Sequence, residues 1–194
     1  WGVDFGLLGR GDELLGNPVH YRDRRTEGML EVAHAVVPRE QIFAQTGVQF
    51  MQINSLYQLL SMQRRQSPIL EAAETLLMMP DLFNWLLTGV KGVEFTNATT
   101  TQFYNPTERR WAFELFDALD LPSRVLGPIV EPGSRLGKLR SAVAEELNLP
   151  NVEVVAPGTH DTASAVLAVP AATSGAAQSD DAARIAQAGG RVAS

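Results

Sequence analysis

Near the end of the chain, Val152-Glu153-Val154-Val155 reads as a strand, Pro157-Gly158-Thr159-His160-Asp161 as a turn, and Thr162 to Val169 as a small-residue helix. The His160-Asp161 pair therefore stands where a strand hands over to a helix. Ligands of α/β sheets gather at the carboxyl ends of strands, so a carboxylate here is placed to act on one. On residue type alone, Asp161 is first of all a helix cap, because Asp and Thr ahead of an apolar run bond the first free backbone amides. A role as general base needs support from the rest of the chain.

The elements that must position this pair alternate between strand and helix, which argues for an α/β domain. Trp1 to Leu8, a tight turn at Gly9-Arg10-Gly11-Asp12 and Glu13 to Leu15 predict a hairpin. Met29, Leu30, Ala33 and Val36-Val37 recur at helical spacing, with Thr26 as cap and Pro38 as stop. A further helical turn over Gln41 to Gln45 stops at Gly47. Leu56, Leu59 and Leu60 mark an amphipathic helix, and Pro68 to Glu74 another. Thr75 to Met79 reads as a buried strand, after which Asp81 caps a helix that ends at Thr88-Gly89, with Trp85, Leu86 and Leu87 in the core. Trp111 to Leu119 and Ser141 to Leu147 have helical apolar spacing. Within Arg22 to Arg25, a solvated helix start with Asp23 paired to a neighbouring arginine is the simplest reading. From Ala171 the composition turns to Ala, Ser, Gly and Gln, so 1–170 is expected to be the domain and 171–194 a disordered tail.

The 194 residues are 45% hydrophobic and 20% charged, enough for one domain with a sizeable core. A net charge of -6 supplies no basic stripe for nucleic acid, so no nucleic-acid partner is expected. With no cysteine there is no disulfide framework or thiolate zinc site, which fits a reducing, cytoplasmic setting. The apolar runs are too short to span a bilayer, and no membrane partner is expected. The chain opens on Trp1 without a signal peptide or an initiator Met, which suggests that an upstream part is missing. His20, His34 and His160 lack paired ligand spacing, so no metal site is expected. Arg10-Gly11-Asp12 is read as a turn rather than an adhesion signal, and Asn97-Ala98-Thr99 as a sequon that matters only in a secreted chain.

Five blocks stand in the order and approximate spacing of the FGGY carbohydrate kinases: Trp1 to Phe5, Tyr21 to Thr26, Met79 to Gly89, Thr96 to Gln102 and His160 to Ala165. The chain resembles that family from Trp1 to about Pro170, and its first, fourth and last blocks are most similar to the rhamnulokinase branch. This resemblance implies a partial ribonuclease H-like (actin-like ATPase) α/β domain that holds a small-molecule sugar. It implies that Asp161 is the catalytic base, and that Gly2, His160, Asp161 and Thr162 bind the substrate. Glycine at position 2 lets backbone approach a sugar hydroxyl closely. Gln49 and Phe50 are expected near the pocket, in a loop that resembles a substrate-lining loop of these kinases.

The family uses ATP and Mg²⁺, yet its phosphate hairpin is expected ahead of Trp1 and its later nucleotide loops, with the C-terminal ATP-binding domain, beyond Pro170. No cofactor-binding residues are therefore expected in this chain, and no kinase activity from it alone. For the parent enzyme the resemblance implies ATP-dependent phosphorylation of L-rhamnulose to L-rhamnulose 1-phosphate; the alternatives are another FGGY ketose or polyol kinase, or a non-catalytic sugar-binding remnant.

Overall fold

Apolar runs and helix-stop glycines set most of the elements. The computed structural model describes residues 2–170; Trp1 and the tail expected over 171–194 lie outside the described residues. The described chain begins with β1, Phe5–Leu8, and a single 3-10 turn over Arg10–Asp12. Helices α1 (Met29–His34), α2 (Arg39–Thr46), α3 (Ser55–Arg64) and α4 (Pro68–Ala72) follow, then β2 (Thr75–Met78) runs straight into α5 (Met79–Thr88). Short elements come next: β3 (Val93–Glu94), α6 (Phe95–Ala98), β4 (Tyr104–Asn105), β5 (Arg110–Trp111) and α7 (Phe113–Ala118). The last are β6 (Ile129–Val130), β7 (Arg135–Lys138), α8 (Ser141–Glu146), β8 (Glu153–Val155) and α9 (Asp161–Leu167). The fold is α/β, as expected.

Among the described residues the strands pair two by two. β1 and β2 are antiparallel with Phe5 opposite Met78, and all of β1 is buried, so its sequence is a continuous apolar run. β3 pairs in parallel with β6, β4 antiparallel with β5, and β7 antiparallel with β8. The core joins Leu56, Leu59 and Leu60 of α3 to Leu76 and Met78 of β2 and to Phe103, Tyr104 and Phe116. Phe103 meets Phe116 edge to face at 5.2 Å, and Tyr104 meets Trp111 likewise at 5.3 Å.

Helix ends follow local chemistry where glycine is involved. Gly47 and Gly89 close α2 and α5 at φ 66° and 82°, each donating its amide to the carbonyl four residues back. Five expectations need correction. The first turn is a 3-10 turn with a single antiparallel bridge, Leu8 to Leu14, rather than a full hairpin. Thr26 is buried and its hydroxyl has no hydrogen-bond partner, so it caps nothing; Gly28, at φ 76°, precedes α1. Among the described residues Asp23 makes no hydrogen bond to an arginine side chain; it accepts the Arg25 amide and acts on the Arg25 guanidinium through its charge alone, while Arg24 pairs with Glu27. Trp111 lies in β5 and not in a helix, its indole N–H donating to the Gly127 carbonyl at 2.8 Å. Trp85 is buried, but Leu86 and Leu87 are exposed.

Candidate functional site

A cleft of about 740 Å³ opens between several segments that are distant in sequence. Its floor is Gly2 and Val3, pinned by side chains from elsewhere. Asn97 Nδ2 donates to the Gly2 carbonyl at 2.9 Å, and Ser55 Oγ donates to the Val3 carbonyl at 2.6 Å. One wall is the loop after α2, from which Val48, Met51 and Ile53 face the cleft. Buried Gln102 fixes that loop by accepting from Asn54 Nδ2 at 2.8 Å and donating to the Val48 carbonyl at 3.1 Å. The opposite wall is the turn into α9, with His160, Asp161 and Thr162.

Glu94 anchors this second wall. It is fully buried, its Oε1 accepts the Thr96 amide at 2.9 Å, and its Oε2 accepts the Thr159 amide and hydroxyl at 2.9 and 2.8 Å. The Thr96 hydroxyl donates to the same oxygen at 2.5 Å and accepts the His160 amide at 3.2 Å. Such a buried carboxylate is stable only because both of its oxygens meet donors.

The structure brings Gly2, His160, Asp161 and Thr162 to one cleft. Asp161 is not the N-cap of α9; that position is His160, whose side chain caps nothing. Asp161 is exposed, and its Oδ1 accepts from the Thr162 amide at 2.7 Å, while Oδ2 makes no hydrogen bond to the described residues. Among the described lining residues Asp161 is the one carboxylate, with no lysine or arginine beside it. Gln49 and Phe50 do not line the cleft. Phe50 packs edge on against His34 at 5.1 Å, with the Arg39 guanidinium 4.6 Å from its ring.

Asn97 and Glu94 were not among the expected site residues. Glu94 stands between Val93 and Phe95, and a lone acid between apolar neighbours is the signal that could have marked it. Asp81 is likewise not the cap that its sequence position suggests. Met78 precedes α5 without a side-chain cap, and buried Asp81 Oδ1 accepts the Glu94 amide at 3.0 Å. Burial pushes the Asp81 carboxyl up to about 7, against the opposing pull of that amide, and the Glu94 charge adds to the rise.

A second depression of about 590 Å³ lies between Gln63, Leu70, Asp120 and Arg124. The Arg124 guanidinium is committed to the carbonyls of Leu70, Glu71 and Ala73, so this depression is a packing seam at the end of α4.

The family description "FGGY family of carbohydrate kinases, N-terminal domain" matches residues 2–168. The chain belongs to the FGGY family. Among similar FGGY proteins, the rhamnulokinases of Oceanobacillus iheyensis and Halalkalibacterium halodurans are each 42% identical over 170 residues, covering 88% of this chain and 36% of theirs. The chain thus spans about 36% of the length of these curated relatives. The xylulose kinase from Rhodospirillum rubrum shares the fold with a TM-score of 0.75 at 23% identity, over 85% of this chain and 35% of that one. A carbohydrate kinase from Novosphingobium aromaticivorans matches with a TM-score of 0.71 at 28% identity, over 86% of this chain and 36% of that one. The FGGY fold here is a partial actin-like ATPase domain, in agreement with the expectation. Among the described residues no helix is long and apolar enough to cross a membrane.

Proposed function

We propose that this chain forms the sugar-holding side of an ATP-dependent kinase that phosphorylates L-rhamnulose at its C1 hydroxyl, with Asp161 as the base. The observation that carries this reading is the single cleft in which Gly2 faces His160, Asp161 and Thr162, with one Asp161 oxygen unoccupied by the described residues. His160 and Thr162 hold sugar hydroxyls, the Gly2 backbone forms the floor, and Asp161 orients the reacting alcohol and takes its proton. An ordinary carboxylate suffices for this, because phosphoryl transfer passes through a loose transition state. Similarity to rhamnulokinases supports the choice of sugar.

Mg²⁺-ATP supplies the transferred group in this family. The described residues do not fit it. No lysine or arginine lines the cleft among them, and no three His, Cys, Asp or Glu side chains group to hold a metal ion. These residues account for the sugar's side of the reaction, and the isolated chain is expected to lack kinase activity.

The test is turnover by a full-length kinase carrying this segment, compared on L-rhamnulose, L-fuculose, xylulose and glycerol. L-rhamnulose is expected to give the highest kcat/KM by at least about tenfold. A preference for any of the other three sinks the assignment. The Gly2 floor has its own check. A Cβ at Gly2 would stand 3.2 Å from Asn97 Oδ1, so Gly2→Ala pushes on the Asn97 bond and on the floor. Sugar KM is expected to rise about fivefold, roughly 1 kcal/mol, with the fold intact; an unchanged KM removes Gly2 from the site.

A further inference from the structure

The turn that carries Asp161 has little packing of its own. α9 contains no buried residue, and its Val166 and Leu167 are 69% and 53% exposed. Thr159 and His160 therefore depend on polar ties, and those ties converge. Among the described residues, the hydrogen bonds that join residues 157–160 to elements outside the turn and α9 are those from the Thr159 amide and hydroxyl to Glu94 and from the His160 amide to Thr96. Thr96 is itself bound to Glu94 through both its amide and its hydroxyl. The remaining side-chain tie, Ser164 Oγ to the Gly158 carbonyl, is internal to the turn and helix.

Glu94 is also held from behind. Its amide donates to Asp81, and its strand pairs in parallel with β6, Glu94 opposite Val130. A rigid backbone thus presents one carboxylate to two walls of the cleft, because the same Oε2 also accepts the amide of Asn97, whose side chain pins Gly2.

We propose that Glu94 is a positioning residue that sets Asp161 and His160 against the Gly2 floor by clamping Thr159 and Thr96 on one buried carboxylate. This inference rests on the reading of Asp161 as base. The carboxylate is required because both of its oxygens accept; a glutamine amide must turn an N–H₂ group either to the Thr96 amide or to the two Thr159 donors, setting donor against donor. A displacement of the turn by about 1 Å is enough to cost on the order of 10²-fold in rate.

The experiment uses the full-length kinase with Glu94→Gln, Thr159→Val, Thr159→Ser and the double variant Glu94→Gln/Thr159→Val, measuring kcat, sugar KM and amide exchange over residues 157–162. Folded Glu94→Gln is expected to lose about 30- to 100-fold in kcat, and Thr159→Val about tenfold. The double variant should fall within about threefold of the worse single, since both cut one linkage. Thr159→Ser, which keeps the hydroxyl, stays within about threefold of wild type. A folded Glu94→Gln enzyme with kcat within about threefold of wild type overturns the proposal, as do losses that multiply in the double variant. If Glu94→Gln does not fold, the Thr159 pair decides, and equal kcat for Val and Ser overturns it. Should the wild type phosphorylate no sugar, the kinase reading fails separately. Amide exchange then decides on Glu94: faster exchange at Thr159 and His160 in Glu94→Gln supports the clamp, and unchanged exchange rejects it.

Discussion

Asp161→Asn in a full-length kinase carrying this segment is expected to lower kcat by about 10²- to 10⁴-fold while sugar affinity changes no more than a few fold. The asparagine carbonyl can still accept from the Thr162 amide, as Asp161 Oδ1 does at 2.7 Å, so the turn keeps its local bond. What is lost is a group that can take the alcohol proton. Single-turnover rates and calorimetric sugar binding separate the two effects. A kcat within about tenfold of wild type removes Asp161 from the chemistry, and a loss confined to affinity makes it a sugar ligand only.

Asp81→Asn is expected to change how stability depends on pH. The folded-state Asp81 carboxyl titrates at about 7 because it is buried, well above the unfolded carboxylate value of about 3.9. Between those values the folded chain holds a proton that the unfolded chain has released. Stability from this group is therefore complete below about pH 4, falls as pH rises, and levels off above about pH 7. Over roughly three units the loss is on the order of 4 kcal/mol. Asparagine keeps an acceptor for the Glu94 amide and carries no charge, so it removes the slope. Its N–H₂ group lies where Asp81 Oδ2 is buried without a partner, and that pH-independent cost resembles the one borne by the protonated acid. Denaturation midpoints of the two proteins should converge at low pH, with Asp81→Asn the more stable at pH 8. Parallel curves from pH 5 to 8 would show that Asp81 does not titrate as its burial requires.

The two groups illustrate what the amino-acid order reveals. Elements governed by neighbours are legible: α2 and α5 end at glycines with positive φ, and β2 and α9 stand within one or two residues of their expected bounds. Resemblance to the family brought Gly2, His160, Asp161 and Thr162 into view, and one cleft contains them. What was not legible depends on partners far along the chain. Asp81 resembles a cap, yet its amide donor is 13 residues away, and Glu94 meets Thr159 across 65 residues. Trp111 has helical apolar spacing, but an indole N–H bonded to Gly127 and rings from Phe103 and Tyr104 draw it into a strand. Phe50 was expected near the pocket; it stands between the lining residues Val48 and Met51, but its ring packs against His34 and does not line the cleft.

The cleft floor joins Gly2 to Asn97 across 95 positions and Val3 to Ser55 across 52. So large a contact order makes the cavity a late product of folding, since loop closure precedes any reward from these bonds. On the ribosome, at about 5–20 residues per second, α3 and the core around Leu56 emerge well before the residues that complete the pocket. The cleft thus stays incomplete on a nascent chain until Thr162 clears the exit tunnel.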